Sequence, residues 1–471
     1  MEMILSLVTK ANSLLWNSIL LVLLCGTGIY FTIRLKFIQV RKLGEGMKLV
    51  FGNLKLKKDK KKEGEMSAFQ ALATAIAAQV GTGNLTGAAT ALIGGGPGAI
   101  FWMWLSAFFG MATVYSEATL AQKFKTTAEG EVTGGPVYYI QAAFKGTFGK
   151  LLAGAFAVLI TLALGFMGNM VQSNSIGVAF TEVFSNRNIN IPPIVIGILV
   201  AVVAGFIFIG GTNRLASVVE KIVPLMAGIY IIGSLFLIFL NIGEIPKALH
   251  MIFVSAFNPR AMLGAGAGIT IREAVRYGVA RGLFSNEAGM GSTPHAHARA
   301  VVENPHQQGL VAMVSVFVDT FVVLNLTVFS ILTTGVLESG KEGTALTQAA
   351  FMTSFQSFGD IFVAICLLFF AFSTILGWHF FGKINVEYLF GKKGSKVYSI
   401  IVLGFIIVGS TLKVNLVWTL SDFFNGLMVI PNALALLALS GLVVSIYRTY
   451  GKKAREEERV REEYEVEVAD S

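Results

Sequence analysis

Two stretches of the chain carry residue types that a membrane helix does not need. The first is Ala77-Ala78-Gln79-Val80-Gly81-Thr82-Gly83-Asn84-Leu85-Thr86-Gly87, and the second runs Gly282-Leu283-Phe284-Ser285-Asn286-Glu287-Ala288-Gly289-Met290-Gly291-Ser292-Thr293-Pro294. Glycine costs about 1 kcal/mol against alanine in a helix interior, so both stretches should interrupt a helix. A broken helix offers a particular chemistry. The N-terminus of a half-helix presents free N–H groups and about half a positive charge to a carboxylate, while unwound carbonyls hold an ammonium group or a sodium ion. A zwitterion travelling with a cation suits such a site. Gly81 and Gly83 would let a ligand approach the backbone, although close helix packing uses glycine in the same way.

The surrounding sequence says where these breaks lie. Of 471 residues, 54% are hydrophobic and 14% charged, with a mean hydropathy of +0.69; an ordinary soluble domain is roughly a quarter charged. A bilayer core about 30 Å thick needs roughly 20 apolar residues of helix. Eleven stretches meet that need, near 13–33, 67–93, 98–122, 149–184, 190–211, 215–240, 268–298, 309–335, 358–390, 396–413 and 415–447. No small-residue cleavage site follows the first, and Arg34 and Lys36 come directly after it, so it reads as a retained helix rather than a cleaved leader. The chain is therefore expected to be an all-α polytopic membrane protein.

Charge placement predicts the topology. With the N-terminus outside and the C-terminus cytoplasmic, 28 of the 37 Lys and Arg residues fall on the inside and six on the outside, the bias that orients membrane chains. Segment 34–62 alone holds eleven, including Lys57, Lys58, Lys60, Lys61 and Lys62, which orient the chain and touch anionic headgroups. The net charge of +9 is thus cytoplasmic loop facing the lipid bilayer and calls for no nucleic acid. Cys25 and Cys366 read as buried small residues, and the charged tail carries no identifiable chemistry.

Set one above the other, VGTGNLTGAAT (80–90) and GLFSNEAGMGS (282–292) share an Asn followed three residues later by Gly. One break lies in the second span and the other in the seventh, so five helices separate corresponding points. Five is odd, and the two halves must run in opposite directions through the membrane, as in inverted-repeat secondary transporters.

The run Gly96-Pro97-Gly98-Ala99-Ile100-Phe101-Trp102-Met103-Trp104-Leu105-Ser106-Ala107, with Gly81 to Leu85, Arg281 to Ser292 and Asp319-Thr320, resembles the alanine or glycine:cation symporters, the sodium:alanine symporter family. The resemblance implies the amino acid-polyamine-organocation superfamily and a leucine-transporter-like five-plus-five inverted repeat. Residues 1–36 would form an additional N-terminal helix, 37–66 a basic linker, 67–241 and 242–448 the two repeats, and 449–471 the tail. It also implies a site. The break from Val80 to Asn84 would meet the substrate carboxylate, with Phe284-Ser285 before Gly289-Met290-Gly291 opposite it. Carbonyls of Ala77, Val80 and Phe370, with the hydroxyls of Ser373 and Thr374, would hold sodium. Trp378, where relatives of this fold have a smaller residue, and Met290, where Phe is common, would shape a pocket for a small substrate such as alanine or glycine. Arg281 and Asp422 match an outer ion-pair gate.

Individual polar residues carry competing readings. Glu287, ionisable at mid-span, sits near the substrate ammonium or organises the break. Asp319 couples an ion, organises a helix, or is a buried hydrogen-bonded Asp. Gln79, Thr82 and Asn286 lie beside the glycines as candidate substrate contacts. Asn169 and Gln172 either line the pocket or bond between helices. His295 and His297 lack a third metal ligand and read as solvated or packing residues; His379 reads as a core histidine, and Glu117, near a cytoplasmic helix end, as a residue that snorkels.

The expected function is import of a small neutral amino acid with Na+ by alternating access, with no cofactor beyond the coupling ion. A proton-coupled symporter is the nearest alternative. A channel or a polytopic enzyme stands further off: no G-x-S-x-G, H-E-x-x-H, P-loop or usefully spaced carboxylate pair is present.

Overall fold

The structure is a computed structural model and describes residues 2–52, 65–128, 130–258 and 269–450. The lysine run at 57–62, Arg260 and the tail from 451 onward lie outside the described residues.

Among the described residues the architecture is helical apart from one hairpin, Thr126–Ala128 against Glu131–Thr133, and a single bridge between Met66 and Ala300. Six helices are long and apolar enough to cross a membrane: Gly98–Lys123, Gly146–Ser185, Gly211–Leu240, Pro305–Thr334, Gly343–Thr411 and Asn415–Ala438. Leu20–Arg34 and Pro193–Ile209 are apolar and shorter. Phe206, Ile232, Phe239 and Ile400 are each exposed by 67% to 71%. A belt of bare apolar side chains of this kind faces lipid rather than water.

Both broken segments start the same way. Ser67 caps Ala68–Gln79 in a capping box with Gln70, and Thr270 caps Ile271–Asn286 in one with Glu273. In each, the side chains and backbone N–H groups satisfy one another at a helix end that would otherwise leave donors unpaired. The first segment leaves helical geometry at Val80, turns through a wide π-type turn at Gly83–Gly87 and resumes as Ala88–Gly95. The second ends at Asn286, passes three left-handed residues, Glu287 (φ 55°), Gly289 (φ 85°) and Gly291 (φ 79°), and resumes as Pro294–Ala298. Left-handed backbone is costly for any residue with a Cβ, which is why two of the three are glycine.

The stretches 358–390 and 396–413 are two helices within Gly359–Thr411 that meet at a kink, where Gly391 stands at φ 69°. One expectation needs adjusting. Two 13-residue helices, Ile245–Phe257 and Gly343–Phe355, were not anticipated, since a search for lengths near 20 residues passes over them.

The helices pack in two groups. Ile271–Asn286 and Pro305–Val316 lie along Gly98–Lys123, and Ile271–Asn286 also packs on Ala88–Gly95. Asn169–Ser185 and Pro193–Ile209 lie along Gly359–Thr411. Wide π-type turns occur at Gly83–Gly87, Thr161–Gly168 and Phe317–Leu324, and such turns often mark functional positions.

Candidate substrate and ion site

The two breaks meet. Gln79 Nε2 donates to the carbonyl of Asn286 at 2.8 Å. A Cβ built on Gly83 would lie 2.8 Å from Ser285 Cα and 2.9 Å from its Cβ. No side chain fits there, and the backbones approach because Gly83 has none. A Cβ on Gly81 would strike Thr374 Oγ1, so the same argument fixes the approach of the first break to Gly359–Thr411.

Around Thr374 five oxygens converge. Its Oγ1 lies 2.8 Å from Ala77 O, 3.0 Å from Phe370 O and 3.5 Å from Val80 O. Ser373 Oγ lies 2.9 Å from Phe370 O and 3.4 Å from Ala77 O. The cluster is buried and joins the first break to Gly359–Thr411. These are hard, neutral oxygen donors of the kind an alkali cation takes.

A second polar cluster surrounds Asp319. Its carboxylate accepts from Asn84 Nδ2 at 2.7 Å, Ser285 Oγ at 2.9 Å and Thr320 Oγ1 at 3.0 Å. Asn286 Nδ2 reaches Thr320 Oγ1 at 3.1 Å, and Asn286 Oδ1 takes the N–H of Ala288. Asn84 Oδ1 takes the N–H of Gly81 at 2.9 Å. The side-chain amides of Asn84 and Asn286, candidate substrate contacts from the sequence, are hydrogen-bonded to the backbone of their own breaks and to Asp319 and Thr320. Gln172 Oε1 accepts the N–H of Thr82 at 3.2 Å, the interhelical bond that was the alternative reading for it.

Glu287 also acts as an organiser in this arrangement. The indole N–H of Trp378 and the hydroxyl of Ser292 both donate to its carboxylate. Trp378 is 1% exposed, stands edge-on to Phe284 with ring centroids 5.6 Å apart, and lies against Gly168. Met290 and Asn169 are both buried, and Asn169 Nδ2 bonds back to Gly165 O at 2.9 Å. Three buried polar atoms beside the breaks, Gln79 Oε1, Thr82 Oγ1 and Asn169 Oδ1, have no hydrogen-bond partner. Leaving such atoms unpaired costs about 1 to 3 kcal/mol each, so they are available to a polar ligand.

Arg281 forms an ion pair with Asp422, and Trp418 lies under its guanidinium at 4.7 Å, within cation–π range. Trp418 also packs on Phe284 at 4.6 Å. The ion pair is therefore joined through Trp418 to the aromatic cluster of Phe284 and Trp378.

One residue the sequence misread is Glu117. It does not snorkel: it is fully buried, and its two oxygens accept the N–H groups of Gly289 at 3.2 Å and Gly291 at 2.9 Å. Asn432 Nδ2 donates to it at 2.6 Å and to Gly289 O at 2.9 Å, while Tyr139 OH donates to Asn432 Oδ1. Glu117 is thus the cap of the second break. Its signal in the sequence was only a carboxylate on an otherwise apolar helix. His295 is packed rather than solvated, between Phe156 and Phe381 with Asn385 at 2.8 Å; His297 is buried against Gln308, and His379 stacks on Phe208. Among the described residues no group of three or more His, Cys, Asp or Glu could hold a metal ion.

The relatives of the chain are transporters. Its sequence is 42% identical over 458 residues to the sodium/alanine symporter AgcS of Methanococcus maripaludis, covering 96% of this chain and 98% of that one. It is 41% identical over 447 residues to the probable sodium/glutamine symporter GlnT of Bacillus subtilis, covering 94% and 90%. The fold matches that of MhsT in complex with L-phenylalanine with a TM-score of 0.58 and 14% identity, over 83% of this chain and 99% of that one. That likeness shows a shared helical fold. The sequence profile of one family matches residues 1–464, and the chain belongs to the sodium:alanine symporter family.

Proposed function

We propose that the protein imports a small neutral amino acid together with Na+ by alternating access, through an eleven-span, five-plus-five inverted repeat with its N-terminus outside. The observation that carries this reading is the meeting of the two breaks beside the five-oxygen cluster of Ala77, Val80, Phe370, Ser373 and Thr374. Sodium at the cluster ties the first break to Gly359–Thr411. That contact completes the surface on which the substrate sits, and by linkage each ligand raises the affinity for the other by the same factor.

The substrate carboxylate meets the backbone of Gly81 to Asn84, and Gln79, Thr82 and Asn169 supply polar atoms that lack partners. Trp378, fixed by Glu287, limits the room for a side chain and favours alanine or glycine. Arg281 and Asp422 form the gate on the outer side. Asp319, which has no cationic partner among the described residues, is the candidate for a second coupled cation or proton.

Replacing sodium by choline at constant pH tests the coupling. Uptake should stop, and uptake that persists would favour the proton-coupled alternative. Thr374→Ala should lower sodium affinity in a way that high sodium restores.

A further inference from the structure

The additional N-terminal helix lies against the gate. Trp16 Nε1 donates to the backbone carbonyl of Asp422 at 3.1 Å, and Asn12 Nδ2 donates to the carbonyl of Thr419 at 2.8 Å. Trp16 is 6% exposed and Asn12 7%. A Cβ on Gly426, one turn beyond Asp422, would lie 2.7 Å from Leu20 Cδ1 and 3.5 Å from Trp16 Nε1, so helix and gate turn touch along their length. Asn12 and Trp16 line one wall of a cleft whose other walls are Tyr277, Arg281, Thr419 and Asp422.

The same helix also touches the other side of the gate. Leu24 Cδ2 lies 2.9 Å from the position a Cβ would take on Gly289, within the second break, and Gly28 packs on Phe109 of Gly98–Lys123. The helix therefore bridges the two sides of the gate: the stretch from Asn12 to Leu20 packs on the element of Asp422, while Leu24 packs on the second break at Gly289 and Gly28 on Gly98–Lys123, the element of Glu117. Opening the gate separates Asp422 from Arg281, and one set of these contacts must part when it does. The hydrogen bonds of Asn12 and Trp16 to the main-chain carbonyls of Thr419 and Asp422 are the polar part of the set on the Asp422 side.

We propose that the N-terminal helix is part of the transport machinery, with Trp16 and Asn12 as positioning residues that hold the gate helix in its closed arrangement. This rests on the assignment of Arg281 and Asp422 as the outer gate. The contact is made through the carbonyl of Asp422 and not its carboxylate, so it acts in addition to the ion pair and leaves it intact.

The test uses the full chain in right-side-out membrane vesicles, with Cys25→Ala and Cys366→Ala removing the native thiols and Ala280→Cys as reporter in the cleft beside Arg281. An impermeant thiol reagent is applied in sodium without amino acid. Trp16→Phe keeps the ring packing and removes only the N–H; one hydrogen bond of ordinary net strength should raise the labelling rate about fivefold. Asn12→Leu should act in the same direction, and saturating alanine should reverse both effects, which a general loosening of the fold would not do. Asp422→Asn serves as the reference for the gate itself. Faster labelling in Trp16→Phe and in Asp422→Asn supports the proposal. Faster labelling in Asp422→Asn alone overturns it and leaves the gate standing. Unchanged labelling in both overturns the gate assignment and this proposal with it.

Discussion

Trp378 donates its indole N–H to the carboxylate of Glu287, 91 residues earlier in the chain, so the residue proposed to bound the pocket is held by the residue at which Ile271–Asn286 ends. Glu287 stands at φ 55°, and this backbone position is kept by the contacts its side chain makes. Trp378→Phe leaves a buried acceptor unpaired at a cost of about 1.5 kcal/mol, and alanine affinity should fall about tenfold. Trp378→Leu should in addition admit larger amino acids such as glutamine, measured by competition against labelled alanine. An unchanged substrate range in Trp378→Leu would contradict its role as the pocket boundary.

Gly83→Ala should abolish transport. Its Cβ would fall within 3 Å of Ser285, where neither backbone can yield without separating the breaks. Gly87→Ala is the control: its nearest neighbour would be 3.9 Å away, and uptake should stay near the parent rate. Equal activity in the two variants would mean that the close approach at Gly83 has no part in transport.

Glu117→Gln replaces one carboxylate oxygen with an amide N–H donor, and either Gly289 or Gly291 then loses its acceptor. The expected cost is about 2 kcal/mol, read as a lower Tm in detergent together with a reduced maximal rate of uptake. A Tm equal to the parent's would show that the cap contributes nothing to the second break.

Arg281→Asp and Asp422→Arg should each impair uptake, since each places like charges together where the side chains are largely buried. The double exchange restores opposite charge and should recover a measurable fraction of the rate. If the double variant is no better than either single one, the pair does not act as a unit.

The parts of this architecture that were legible in the sequence follow from local chemistry. Gly81, Gly83, Gly289 and Gly291 mark the breaks through the cost of glycine in a helix interior. The oxygens around Thr374 came from a resemblance, since nothing in the spacing of Ala77 and Thr374 says that they meet. Glu117 shows the limit most clearly. Two of its partners are backbone N–H groups in the second break, 172 and 174 residues away, and a backbone donor leaves no mark in the identity of a residue. The same holds for Trp16, whose acceptor is the carbonyl of Asp422. Asn84 and Asn286 were recognisable as polar residues at a break, but whether an amide faces a ligand or its own backbone depends on turns that only the folded chain defines.

Sodium-coupled movement of a small amino acid is tested most directly by uptake of labelled alanine into proteoliposomes containing the purified protein. With an inward sodium gradient, alanine should accumulate above its external concentration and then decline as the gradient dissipates. Accumulation that is the same with and without the sodium gradient would contradict the account.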